Sequence, residues 1–186
     1  MTDKTWDERY DRESDSSKEP SLFLKKQICE LPRGKALDLA MGTGRNAIFL
    51  AENGYVVDGI DSSEVAVEKV RSFAQRESLS IHAKQADLTN YQIAENTYDV
   101  ILNFYFLERS LFPQIMKGLK QGGMLLFETY TIEQPKYGRP HNTAYLLKPN
   151  ELLQSFKELH IVYYHERIDK QKGGTKAIAS LLAQKR

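Results

Sequence analysis

The stretch "ALDLAMGTGRNAIFLA", residues 36–51, constrains this chain more than any other: a short apolar run ends in Gly-x-Gly and passes at once into a helical pattern. Glycine at such a turn permits backbone conformations that other residues disfavour and lets a ligand approach the main chain closely. The helix that follows begins with unpaired N–H groups and a partial positive charge, which suits a carboxylate or a phosphate. A merely tight strand-to-helix turn would use the same glycines, so the turn alone leaves both readings open.

Three acidic residues bear on the choice. Asp38 lies four residues before Gly42, Asp61 closes the next apolar run in "VVDGID", and Asp87 closes the one after it in "KQAD". In a parallel sheet the carboxyl ends of neighbouring strands share one edge, where ligands bind. The three carboxylates therefore converge although they are far apart in sequence. Each also fits a local role: Asp61 with Glu64 reads as a helix N-cap signal, Asp87 as the start of a turn before Asn90, and Asp38 as an acceptor for the glycine turn. Local capping does not explain why all three stand at successive strand ends.

The rest of the chain repeats the rhythm. Strand-like runs at "KALDLA", "YVVDGID", "SIHAKQAD", "YDVILNFY" and "MLLFETYT" alternate with helical patterns near "GRNAIFLAENG", "SSEVAVEKVRSFAQRE" and "LFPQIMKGLKQGG". That alternation predicts an α/β domain with a mainly parallel sheet and helices on both faces. After a helix at "PNELLQSFKEL", two more strands, "HIVYYHERID" and "TKAIASLLAQ", flank Gly173 and Gly174. So short a connection makes them an antiparallel hairpin. At 186 residues the chain is expected to be a single domain. Residues 1–20, polar and serine-rich after "WDERY", read as a flexible segment, and residues 131–148, with two prolines and few regular apolar positions, as a long loop on the substrate side.

Several function classes fall away. Basic and acidic residues number 26 and 25, with no interleaving of basic and aromatic positions, which disfavours nucleic acid as a partner. "MTDKTWDERY" is no signal peptide and no apolar run approaches membrane-spanning length, so a cytoplasmic protein away from membranes is expected. The single cysteine, Cys29, precludes an intrachain disulfide and reads as a half-buried structural thiol on an amphipathic helix. There is no G-x-S-x-G elbow, no H-E-x-x-H helix, no P-loop lysine after the glycines, and no histidine spacing that suggests a metal.

In order, "LDLAMGTGR", "GIDSS", "QADL", "YDVILNFY" and "LKQGGMLLFE" resemble the motif series of class I S-adenosylmethionine-dependent methyltransferases, over most of residues 36–131. The resemblance implies a Rossmann-like seven-stranded sheet whose last strand inserts antiparallel beside the fifth. It implies that Gly42, Thr43 and Gly44 hold the amino-acid part of S-adenosyl-L-methionine, with Ala40 beside them and Asp38 supporting the loop or the ammonium. Asp61, with Ser62 adjacent, would accept the ribose hydroxyls, Asp87 and Leu88 would meet the adenine, and Asn103 would offer its carbonyl to the ammonium. A carboxylate can hold a vicinal diol through two charge-assisted hydrogen bonds. The product would be S-adenosyl-L-homocysteine.

"WDERY", "GTGRNAIFLA" and "YLLKPNELLQSF" further resemble the small bacterial tellurite-resistance type methyltransferases and their thiopurine S-methyltransferase-like relatives. By that likeness Arg9 would pair with the cofactor carboxylate and Tyr10 would close its methionine end, unless Trp6 and Tyr10 only staple the terminus to the core. The acceptor would be a small molecule, either a soft atom such as tellurium, selenium or a thiol sulfur, or an oxygen or nitrogen. Glu128, Arg139 and His141 are the candidate catalytic residues, since histidine exchanges protons near neutrality and arginine holds oxyanions. Two alternatives stand beside this reading: a module that binds S-adenosylmethionine without catalysis, and an NAD(P)-binding Rossmann oxidoreductase, because "GTGRNA" also fits the permissive dinucleotide pattern.

Overall fold

Period-two alternation in the apolar runs sends successive side chains to opposite faces of one sheet. In β1 (Lys35–Leu39), Ala36 joins one hydrophobic core and Leu37 and Leu39 the other. In β4 (Tyr98–Phe104), Val100, Leu102 and Phe104 likewise oppose Ile101, while Tyr98, before a break in register at Tyr98 and Val100, joins the core of Ile101. The computed structural model describes residues 3–12, 19–171 and 174–186, with backbone alone at 3–5, 9, 12 and 171.

The remaining strands are β2 (Val56–Asp61), β3 (Ile81–Gln85), β5 (Leu119–Tyr130), β6 (His160–Gln171) and β7 (Gly174–Gln184). Together they form a seven-stranded sheet in the order β3-β2-β1-β4-β5-β7-β6. The pairs among β1 to β5 are parallel, β7 runs antiparallel beside β5, and β6 antiparallel beside β7. This is the expected Rossmann-like fold. Phe23 and Leu24 of α2 (Leu22–Gln27) pack on one face of the sheet with α3 (Arg45–Glu52) and α4 (Glu64–Arg76); α5 (Phe112–Gly118) and α6 (Glu151–Ser155) cover the other. Strand order reverses at β1, which lies between β2 and β4, and the crevice at that reversal is where ligands bind in open α/β sheets.

The structure departs from the sequence reading in four places. The helix expected over residues 111–123 ends at Gly118, which packs so closely on Ile93 that a Cβ there would lie 2.6 Å from its Cγ2, and Leu119 already pairs with Tyr98. Ladder pairing resumes only at Val100 and Met124, so residues 120–123 bulge out of register. The helix expected over residues 149–159 shrinks to α6 behind Asn150, which sits at a left-handed φ of 59°. Cys29 is exposed rather than half-buried, because the chain tightens there into a 3-10 turn, Ile28–Glu30.

The fourth departure concerns the polar N-terminal segment. Within residues 1–20, Asp3–Arg12 forms a helix, α1, that packs on α4. Its hold is polar: Lys69 Nζ donates to the carbonyl of Tyr10 at 2.7 Å, and Ser63 Oγ donates to the carboxylate of Asp7. Gly173 of the expected hairpin turn lies outside the described residues, and pairing resumes at Gln171 and Gly174.

Candidate functional site

The turn after β1 reverses direction through three left-handed residues, Ala40 (φ 54°), Gly42 (φ 56°) and Gly44 (φ 81°). Gly44 caps α3, and the N–H of Ile48 donates to its carbonyl at 2.7 Å. A side chain at Gly44 would be strained by φ, and its Cβ would lie 2.7 Å from Val70 Cγ2. Bareness here thus serves packing against α4 as well as access to the turn.

Asp61 ties this turn to the next strand end. Its Oδ2 accepts the N–H of Gly42 at 2.7 Å and its Oδ1 the N–H of Ser63 at 3.0 Å. Burial raises the pKa of this carboxyl, and the donated hydrogen bonds from Ser63 and Gly42 oppose that rise. Ser63, rather than Asp61 as the Asp61 and Glu64 pattern suggested, is the N-cap of α4: its Oγ accepts from the N–H of Ala66 at 3.2 Å.

Asp38 is the unusual group. It is 2 % exposed, and its Oδ2 has no hydrogen-bond partner among the described residues. Burial pushes its pKa up to about 7; the charge of Asp61 adds to the rise, while Arg45 and the N–H of Ala47 oppose it. Buried polar atoms are nearly always satisfied, so an orphaned carboxylate oxygen beneath a glycine turn is the mark of a site completed by a donor or a cation. The residues present therefore suit a ligand with an ammonium at this end.

The other sequence candidates fall into three groups. Tyr10 lies over the turn, its hydroxyl 3.0 Å from the position of a Gly42 Cβ, with its ring stacked 5.9 Å from that of Trp6. The side chain of Arg9 lies outside the described residues. Leu88 and Asn103 are buried near the same edge, and Asn103 donates from Nδ2 to the carbonyl of Phe106 at 2.7 Å. Ala40, Thr43 and Ser62 are half-buried there. Asp87 is exposed and closes a turn: its Oδ1 accepts from the N–H and hydroxyl of Thr89 at 2.9 and 2.8 Å, and Oδ2 accepts from Asn90 at 3.3 Å. The turn reading of Asp87 thus describes its contacts in this structure.

The three catalytic candidates are not brought together. Glu128, at the end of β5, is buried and accepts from Tyr105 Oη at 3.1 Å, Ser180 Oγ at 2.5 Å and Arg167 at 3.2 Å. It contributes to a cavity of about 670 Å³ shared with Arg45, Tyr105, Tyr163, Arg167 and Lys176. Arg139 and His141 lie exposed on the loop and do not line that cavity. The base of the loop is pinned by Gln134, whose Oε1 accepts from the N–H of Ala177 at 2.8 Å and whose Nε2 donates to the carbonyl of Arg139 at 3.1 Å.

Sequence reasoning missed Arg45, Arg167, Lys176 and Ser180. Arg45 follows Gly44 directly, and Arg167 and Asp169 stand two apart on one strand; both spacings were legible. Pairing of Glu128 with Ser180 and of Arg167 with Ile178 was not, because it depends on the hairpin register. Tyr105 holds a left-handed φ of 57°, a cost that a non-glycine residue tolerates where the surroundings fix it. Here its N–H donates to the carbonyl of Glu128 at 2.8 Å and its ring meets that of Tyr130 at 5.0 Å.

Among the described residues no group of three or more His, Cys, Asp or Glu side chains is placed to hold a metal, and no helix is long and apolar enough to cross a membrane.

Comparison with known proteins gives a consistent picture. The family model described as tellurite resistance protein TehB matches residues 22–176. The probable S-adenosyl-L-methionine-dependent methyltransferase TehB of Haemophilus influenzae is 30 % identical over 143 residues, 72 % of this chain and 49 % of that protein. The chain thus spans about half the length of that curated relative. A ubiquinone biosynthesis O-methyltransferase of Coxiella burnetii is 29 % identical over 152 residues, covering 71 % of this chain and 64 % of that protein. The crystal structure of TehB from Haemophilus influenzae superposes with a TM-score of 0.79 at 22 % identity, over 97 % of this chain and 67 % of that one. That of the [4+2]-cyclase SpnF reaches 0.73 at 18 % identity, over 93 % and 84 %. The fold is therefore shared with a cyclase as well, and chemistry has to be argued from the site.

Proposed function

The chain belongs to the tellurite resistance protein TehB family, and from that premise we propose that it is a methyltransferase that takes its methyl group from S-adenosyl-L-methionine and passes it to a small acceptor. The observation that carries the reading is the pair of buried carboxylates around the glycine turn. Asp61 is fixed by two backbone N–H donors, and Asp38 has an oxygen with no partner among the described residues.

In this reading Asp38 and the carbonyl of Asn103 face the ammonium of the cofactor, and the bare backbone of Gly42, Thr43 and Gly44 lies against its methionine. Asp61 has lone pairs left for the ribose hydroxyls, since each carboxylate oxygen accepts more than the one N–H it holds here. Leu88 gives the adenine an apolar wall. Asp87 presents the outer side of its turn, and α1 with Tyr10 closes the methionine end. S-adenosylmethionine supplies an already activated sulfonium methyl and leaves as S-adenosylhomocysteine. Of the protein this reaction asks mainly alignment of the acceptor and exclusion of water.

The acceptor belongs in the cavity at Glu128, next to Arg45 and hence next to the turn. Glu128 is engaged by Tyr105, Ser180 and Arg167, which makes it a positioning residue for the cations around it. Tellurite is the acceptor to which the family's description directs attention, and selenite and small thiols are the other soft acceptors to try.

Release of S-adenosylhomocysteine, followed with tellurite, selenite and a thiol panel, tests the proposal. Acceptor-dependent release that disappears in Asp38→Ala supports it. Tight cofactor binding without turnover on any acceptor, organic acids included, would leave a binding module instead.

A further inference from the structure

The cavity beside the turn is of a size that holds organic, drug-sized ligands, and its volume is about 670 Å³. A bare three-oxygen anion would fill a small part of it and leave the remainder to water. Its lining is also of two kinds. Arg45 and Lys176 both approach the ring of Tyr105, at 5.8 and 4.8 Å from its centroid. Apolar surface comes from Leu22 and Tyr163, both exposed, with Phe23 buried against Tyr163 at 5.6 Å between ring centroids.

The cations are not equally occupied. Arg167 is held by Glu128 at 3.2 Å and Asp169 at 3.6 Å. Arg45 and Lys176 have no carboxylate within ion-pair distance among the described residues. Lys176 is half-buried, and burial together with the neighbouring charge of Arg45 lowers its pKa, against the pull of Glu128 and Asp169. Two like charges held on one aromatic ring in partial burial repel one another unless an anion joins them.

We propose that the acceptor is an organic anion, with a carboxylate or similar group between Arg45 and Lys176 and an aromatic or other apolar body along Leu22 and Tyr163. This rests on reading the glycine turn as the methyl-donor site, because Arg45, which lines the cavity, is the residue that follows Gly44. An inorganic oxyanion satisfies the two cations and leaves the apolar wall uncovered.

The test titrates 2-naphthoate, its neutral isostere 2-naphthamide, and selenite into the full chain, both cofactor-free and saturated with S-adenosylhomocysteine, with calorimetry and ligand-observed NMR. The expected result is naphthoate bound at least roughly tenfold more tightly than either naphthamide or selenite, with Lys176→Met removing the preference for naphthoate over naphthamide. Naphthamide binding as tightly as naphthoate, or selenite binding as tightly or more so, overturns the inference. Failure of S-adenosylhomocysteine to bind counts against the methyl-donor reading instead, and the cofactor-free titration still decides the acceptor class.

Discussion

The N–H of Gly42 donates to Oδ2 of Asp61 at 2.7 Å across the gap between the first two strand ends, and the same carboxylate receives the N–H of Ser63 at 3.0 Å. One side chain therefore sets both the glycine turn and the start of α4. Removing it leaves two donors without partners at a buried edge. Asp61→Ala is expected to destabilise the cofactor-free protein by roughly 2–4 kcal/mol in urea unfolding, and to weaken S-adenosylhomocysteine by roughly tenfold or more. Asp61→Asn, which keeps one acceptor oxygen, should fall between.

Asp38 makes stability depend on pH with an unusual sign. Its folded pKa, pushed up to about 7 by burial, exceeds the ordinary 3.8, so between these values the native state binds more protons than the unfolded chain. Its contribution is thus fully present below about pH 4 and is lost as pH rises through 7. Asp38→Asn, which cannot ionise, should raise the melting temperature of the cofactor-free protein at pH 8 by several degrees relative to the parent, with the gap closing toward pH 5. The same variant should bind S-adenosylhomocysteine weakly at every pH. A melting-temperature series from pH 5 to 8 checks the first part and calorimetry the second.

Gly44 carries two separable penalties, a φ of 81° and a Cβ position 2.7 Å from Val70 Cγ2. Gly44→Ala should cost about 2–4 kcal/mol of stability. Val70→Ala in the same chain removes the steric part and leaves the backbone part, so the double variant should be more stable than the sum of the single effects predicts. Equilibrium unfolding of the four proteins in the cycle measures it.

Arg109 locks the far side of the long loop. It pairs with Glu151 through Nε at 2.5 Å and a second nitrogen at 3.0 Å, and donates to the carbonyls of Ala144 and Leu146 at 2.9 and 3.0 Å. Arg109→Lys cannot reproduce that planar fork. Hydrogen exchange should accelerate by roughly tenfold at residues 143–147 in the variant, because a local opening free energy falls by about 1–2 kcal/mol. Exchange at the glycine turn should be unchanged.

The fold was legible because its signal is local and repeated. Alternating apolar runs, glycines between strand and helix, and acidic residues at strand ends each follow from period and turn chemistry, and the seven-stranded sheet with its hairpin follows from them. What failed depended on long-range packing. Nothing local at "KGLKQGG" says that Leu119 already pairs with Tyr98, and nothing near Cys29 says that its helix tightens and turns the thiol outward. The site divided in the same way. Asp38 and Asp61 declare themselves by position, whereas Glu128 acquires its partners Ser180 and Arg167 only through the register of the last two strands. Arg139 and His141 were attractive by residue type alone, and residue type does not show that both stand exposed and outside the lining of the Glu128 cavity.

Whether the glycine turn holds the methyl donor is decided by calorimetric titration of the full chain with S-adenosylmethionine, S-adenosylhomocysteine and NAD(H), in the parent and in Asp38→Ala. A methyl-donor site at that turn binds the first two near the micromolar range, about −8 kcal/mol, gives no heat with NAD(H), and loses binding in the variant. Binding of NAD(H) alone, or S-adenosylmethionine binding that is indifferent to Asp38, would contradict it.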